Sequence, residues 1–202
     1  AGHPAIFAWM ASEAGLTPLI GGLFWAADAP VCGLAGNARQ LKALDLCQHG
    51  NGKEAIYSVV HYSRGACGCA FGPLGLPSFL HFAQGLDSAL AEGAVALTTP
   101  KGDKASRLNA LVMLGGYLIA KHGWSADRLS AAIGGDADAK FICSWSPKLT
   151  PEYGRVLRVR DCWDGIDLAI EQGWLDVSCM EDDAKLEAAV ARHNITAVCC
   201  DA

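Results

Sequence analysis

Apolar residues recur at helical spacing between Lys104 and Lys121. There Leu108, Leu111, Val112, Leu114, Leu118 and Ile119 line much of one surface and predict the longest helix of the chain. Gly123 follows as its stop signal. Gly115 and Gly116 interrupt the middle of this stripe. Each costs a helix about 1 kcal/mol relative to alanine, so the pair predicts close packing against another element.

The same pattern places further helices along the chain. One runs from Pro77 through Phe82 to Ala91, and a short one capped by Ser125 runs to Ile133 with Asp127 in its positive first turn. Asp164 to Gln172 is helical and stopped by Gly173, and Glu181 to Arg192 carries acids at its start and Arg192-His193 at its end. Residues 4–14 read as a short helix, 16–36 as short helical turns broken by proline and glycine, and Asn37 caps a helix to Leu46. Leu118 to Trp124 and Leu168 to Trp174 share one pattern, a left-handed glycine cap followed by a tryptophan that packs back on its helix.

Strand-like runs are shorter. Ala55 to Ser63, Ala94 to Thr98, Lys140 to Trp145, Arg155 to Asp161 and Ile195 to Cys200 carry β-forming residues without an internal proline. In Arg155–Asp161, Leu157 and Val159 share one face and Arg158 and Arg160 the other. Together these elements predict an α+β fold, a mostly helical single domain with a few buried strands. The polar break Thr99-Pro100-Lys101-Gly102-Asp103 marks the best internal boundary.

Composition sharpens the picture in three ways. The 202 residues are 51% hydrophobic and 18% charged, which allows a large core or an apolar surface kept for a protein partner or self-association. Residues 1–160 hold 14 Lys/Arg against 11 Asp/Glu, a balance of +3, and residues 161–202 hold 2 against 10, a balance of −8. That acidic end argues against a nucleic-acid partner. Nine cysteines, several of them inside apolar runs, fit reduced thiols in a cytoplasmic protein, although a signal peptide removed before Ala1 would leave the same sequence. The uncharged runs are broken by proline and glycine or are too short to span a membrane.

Candidate chemistry centres on His61 to Gly72, where Cys67 and Cys69 stand among glycines at the start of an uncharged run. A thiol of ordinary pKa near ~8.5 is only slightly ionised at neutral pH and needs a base or a cation beside it. His61 and Arg64 are adjacent in sequence, and His193 is a distant base. The expectation is a small cysteine-dependent enzyme for acyl transfer or hydrolysis of a small-molecule or peptide substrate, with Cys67, Cys69, His61, Arg64 and His193 as its catalytic set. Cys47, His49, Cys67 and Cys69 are also a ligand set that zinc would accept, with His61 and His81 as spares, although their spacing is one residue short of the usual pairs. The alternative is a non-catalytic assembly or structural subunit. A third reading takes 104–161 as a winged-helix nucleic-acid binder, with two helices followed by a strand pair carrying Lys140, Lys148, Arg155, Arg158 and Arg160. No Gly-rich phosphate loop, His-Glu-x-x-His or Gly-x-Ser-x-Gly motif is present.

Overall fold

The computed structural model describes residues 16–26, 39–43, 46, 73–140 and 157–193. They form a mostly helical α+β fold around a small mixed sheet. The strands are β1 (Thr17–Ile20), β2 (Leu23–Ala26), β3 (Arg39–Lys42) and β4 (Val95–Thr98), in the spatial order β1-β2-β4-β3. The helices are α1 (Leu76–Glu92), α2 (Lys104–His122), α3 (Ala126–Ile133), α4 (Val159–Glu171) and α5 (Asp183–His193). Single 3-10 turns at Gly134–Asp138 and Val177–Glu181 precede α4 and α5.

The first two strands overturn the expectation of helical turns over 16–26, and its remainder, 27–36, lies outside the described residues. Gly22 adopts φ 83°, which suits the two-residue turn of a β-hairpin, and β1 pairs antiparallel with β2 across it. Pro18 lies on β1, an edge strand, where a missing N–H is tolerated. The helix expected from Asn37 to Leu46 is likewise replaced, by strand β3 at Arg39–Lys42. Sheet pairing decides this. β4 is buried at all four positions and runs parallel to β2 on one side and β3 on the other. A helix at 39–42 would leave the second edge of β4 unpaired in the interior, which is costly for backbone groups. The Arg39 N–H donates to the Ala94 carbonyl at 2.7 Å, and the Thr98 hydroxyl donates to the Leu41 carbonyl at 3.2 Å.

Helix α1, strand β4 and helices α2 and α3 form where the hydrophobic pattern places them. The Asp103 carboxylate caps α2 by accepting from Ser106 N–H at 3.0 Å, and the Ser125 hydroxyl caps α3 by accepting from Arg128 N–H at 3.2 Å. Gly123 ends α2 in the left-handed region, φ 61°. The Thr99–Asp103 break is the connection between β4 and α2, and buried side chains from both sides of it join one core.

The strand expected over Arg155–Asp161 is a further correction. Lys140 and Arg158 meet in an isolated antiparallel bridge, and from Val159 the chain is helix, so α4 starts five residues before the expected Asp164. Asp161 is the cause. Its carboxylate reaches back to accept from the Arg158 N–H at 2.8 Å, the acidic half of a capping box. Likewise α5 starts at Asp183, capped by the Asp182 carboxylate accepting from Lys185 N–H at 2.9 Å. The predicted elements at 4–14, 55–63, 141–145 and 195–200 lie outside the described residues.

Packing radiates from α2. Trp163 of α4 is fully buried against it, and its Nε1–H donates to the Leu111 carbonyl at 3.0 Å. Gly115 leaves the room the indole occupies. A β-carbon at Gly116 would lie 2.7 Å from Phe79 and 2.8 Å from Ile166, so both glycines are sites of close approach, as their place in the stripe predicts. Among the described residues no helix is long and apolar enough to cross a membrane.

Candidate binding cleft

Most of the sequence-predicted chemistry falls outside the described residues: His61, Arg64, Cys67 and Cys69, together with Cys47 and His49 of the zinc set. His193 is the last residue of α5, and His81 lies in α1. Among the described residues no group of three or more His, Cys, Asp or Glu side chains is placed to hold a metal ion.

Two described cysteines are packing residues. Cys162 is half-buried in the first turns of α4, and its thiol, desolvated there and close to the Asp161 charge, is pushed up to about 12. Cys179 is buried in the 3-10 turn, and desolvation raises its pKa as well. Both are therefore protonated and poor nucleophiles at neutral pH.

The arginines that suggested a basic strand face are also engaged. Arg158 is held by Asp161 and Asp138, each at 3.1 Å, and Arg160 by Asp127 at 2.5 Å. A polar cluster links three elements elsewhere. The Tyr117 hydroxyl of α2 donates to Asp87 of α1 at 2.6 Å, and Lys121 bridges Asp87 at 3.0 Å and Glu181 at 3.8 Å. Desolvation, aided by Asp87, raises the Tyr117 pKa well above the usual range, so the phenol stays a donor. These groups satisfy one another and staple α1 to α2.

The feature that packing does not absorb is the end of α4. Gly173 takes φ 67°, its N–H donates to Ile170 at 3.0 Å, and the Trp174 N–H donates to Ala169 at 2.8 Å. These are the two bonds of a Schellman motif, so the tryptophan backbone is firmly placed. The end of α2 closes similarly, with Gly123 at φ 61° and the Trp124 N–H donating to Leu118 at 3.1 Å. The outcomes are opposite. Trp124 packs back as expected and is 6% exposed, whereas Trp174, expected to do the same, is 70% exposed. Leu168, in the last turns of α4, is 47% exposed as well.

Trp174 borders a cleft of about 230 Å³ between the end of α4 and α5. Drug-sized ligands occupy pockets of roughly 300–1,000 Å³, so this one suits a few side chains of a larger partner. Lys185, Ala188, Ala189 and Arg192 give it one wall, a stripe at i, i+3, i+4 and i+7 on α5. Leu175 and Cys179 contribute apolar atoms, and Asp176 sits at the rim. The exposed Asp176 carboxylate accepts from the Ser178 N–H at 2.9 Å, and hydrogen bonding to Ser178, aided by the Lys185 charge, lowers its pKa.

No protein-family model and no curated protein matches the chain. The cleft therefore stands on its own geometry. Sequence reasoning missed it because the Gly-Trp pair read as an ordinary helix end. One signal was present: Lys185 and Arg192 are the only lysine and the only arginine of an otherwise acidic 161–202, and seven positions apart they share one helix face.

Proposed function

We propose that this protein is a non-catalytic assembly module whose contact surface is the α4–α5 edge. The observation that carries this reading is Trp174, an indole left 70% exposed on a hydrogen-bonded turn beside a cleft. Tryptophan contributes large contact area for little conformational entropy and dominates many interfaces. A rigid backbone beneath it lowers the ordering cost of binding. Selection of a random peptide display library tests the reading. The intact chain should enrich a peptide family that a Trp174→Ala variant fails to hold, and enrichment indifferent to Trp174 would refute the reading.

A second reading keeps thiol chemistry at Cys67 or Cys69, for acyl transfer or hydrolysis. Its support is the glycine-flanked pair in the sequence, between described residues Leu46 and Pro73. Selective alkylation of Cys67 or Cys69 by iodoacetamide below neutral pH tests this, and equal, slow labelling of all thiols would refute it.

A further inference from the structure

We infer that the Trp174 cleft is a docking site for an extended acidic protein segment, one that sets two carboxylates against Lys185 and Arg192 and an apolar side chain on Trp174. This rests on the interaction reading above and gives its partner a chemistry. The charge argument comes first. The only lysine and the only arginine of 161–202 both line this cleft. Among the described residues neither joins a salt bridge, whereas Arg158, Arg160 and Lys121 all do.

Among the described residues no acid of the same region forms a salt bridge with the pair, and Asp176 meets the Lys185 charge only at longer range. Asp176 is committed to Ser178, Asp182 caps α5 through the Lys185 N–H, and Asp183 accepts from Gln84. Glu187 lies two positions from Lys185, roughly half a turn round the helix. Two cations at the ends of the stripe, with Ala188 and Ala189 between them as a low floor, complement a negatively charged chain laid along α5.

Length then specifies the segment. Lys185 and Arg192 are seven residues apart on one helix, about 10 Å along its axis at about 1.5 Å per residue. A chain in the extended polyproline II conformation advances about 3.1 Å per residue with three residues per turn, so acidic residues three positions apart lie on one face and match that span. One of the two residues between them faces the wall where Trp174 stands, and an aliphatic side chain there covers the exposed ring. The expected pattern is acid, apolar, any residue, acid.

A fluorescein-labelled peptide of sequence Gly-Glu-Leu-Gly-Glu-Gly, titrated with the intact chain at low ionic strength and read by anisotropy, tests this. The expected result is binding that weakens as salt rises and falls at least tenfold in the double variant Lys185→Glu, Arg192→Glu. That variant should instead take the lysine counterpart Gly-Lys-Leu-Gly-Lys-Gly. Both substituted positions are exposed, and an unchanged circular dichroism melt confirms that the fold persists. Equal affinity of the intact chain for the two peptides, or an acidic peptide indifferent to the double variant, overturns the inference. The display selection separates the two levels. A Trp174-dependent family without acids removes this inference and leaves the assembly reading, and no Trp174-dependent family removes both.

Discussion

The indole of Trp163 occupies the space a side chain at Gly115 would need, and from there its Nε1–H reaches the Leu111 carbonyl of the same helix. Two weak points of α2, a glycine inside the helix and a carbonyl open to a second donor, are thus filled by one residue of α4. Gly115→Ala should displace the indole and break this hydrogen bond. Overpacking costs typically 1–3 kcal/mol, with about 1 kcal/mol for the bond, against a gain of roughly 1 kcal/mol in helix propensity. A net loss of about 1–3 kcal/mol, read by urea denaturation with the Trp163 environment followed by near-UV circular dichroism, is the expected outcome. A neutral or stabilised variant would show that α4 does not lock against α2 in this way.

The two tryptophans that follow a left-handed glycine should separate cleanly by stability. Trp124→Ala removes a buried ring and should cost about 3–5 kcal/mol. Trp174→Ala removes an exposed one and should change stability by no more than about 0.5 kcal/mol. Thermal melts of the two variants side by side make the comparison. Comparable losses would mean that Trp174 supports the core.

Thr99 follows the last residue of β4, and it is 5% exposed with a hydroxyl that has no hydrogen-bond partner among the described residues. An unmade hydrogen bond in the interior costs about 1–3 kcal/mol. Valine has nearly the same shape and nothing to desolvate. Thr99→Val should therefore hold or raise the melting temperature, by up to a few degrees. A large drop in calorimetry would count against an unpaired hydroxyl there.

Cys162 fixes a direction of pH dependence. Its folded pKa, about 12, lies above the unfolded value of about 8.5. Its contribution to stability is therefore fully present below about pH 8.5 and is lost as pH rises toward 12. Native protein at neutral pH should resist alkylation at Cys162, while unfolded protein reacts readily. Peptide mapping after iodoacetamide treatment shows which thiols are labelled, and Cys162→Ala should flatten part of the alkaline fall in stability between those two pH values.

The sequence made the helical half of this fold legible because its helices bury one face and declare their ends. Asp103, Ser125, Gly123 and Gly173 act locally, within a turn of the residues they cap, so reading a few neighbours suffices. Strands β1, β2 and β3 were hidden for the opposite reason. Each has four residues, and what makes Arg39–Lys42 a strand is β4, more than fifty positions away. Arg158 to Asp161 misled in a third way, since Val159 between two arginines alternates like a strand while Asp161 caps a helix. The cleft at Trp174 was half visible. Its cations were countable in the sequence, but the exposure of the ring depends on whether another element reaches it, and capping patterns do not encode that.

The strand order has a consequence for how the chain assembles as it is made. β2 and β3 are both neighbours of β4 and not of each other, although both precede it by more than fifty residues. The β1–β2 hairpin can close as soon as it leaves the ribosome, yet β3 has no partner in this sheet until residues 95–98 emerge. Until then the growing polypeptide carries open strand edges, the state most exposed to intermolecular pairing. A nascent chain stalled before Val95 emerges is thus a stage at which both β2 and β3 present an open edge, and emergence of residues 95–98 gives the two edges their shared partner.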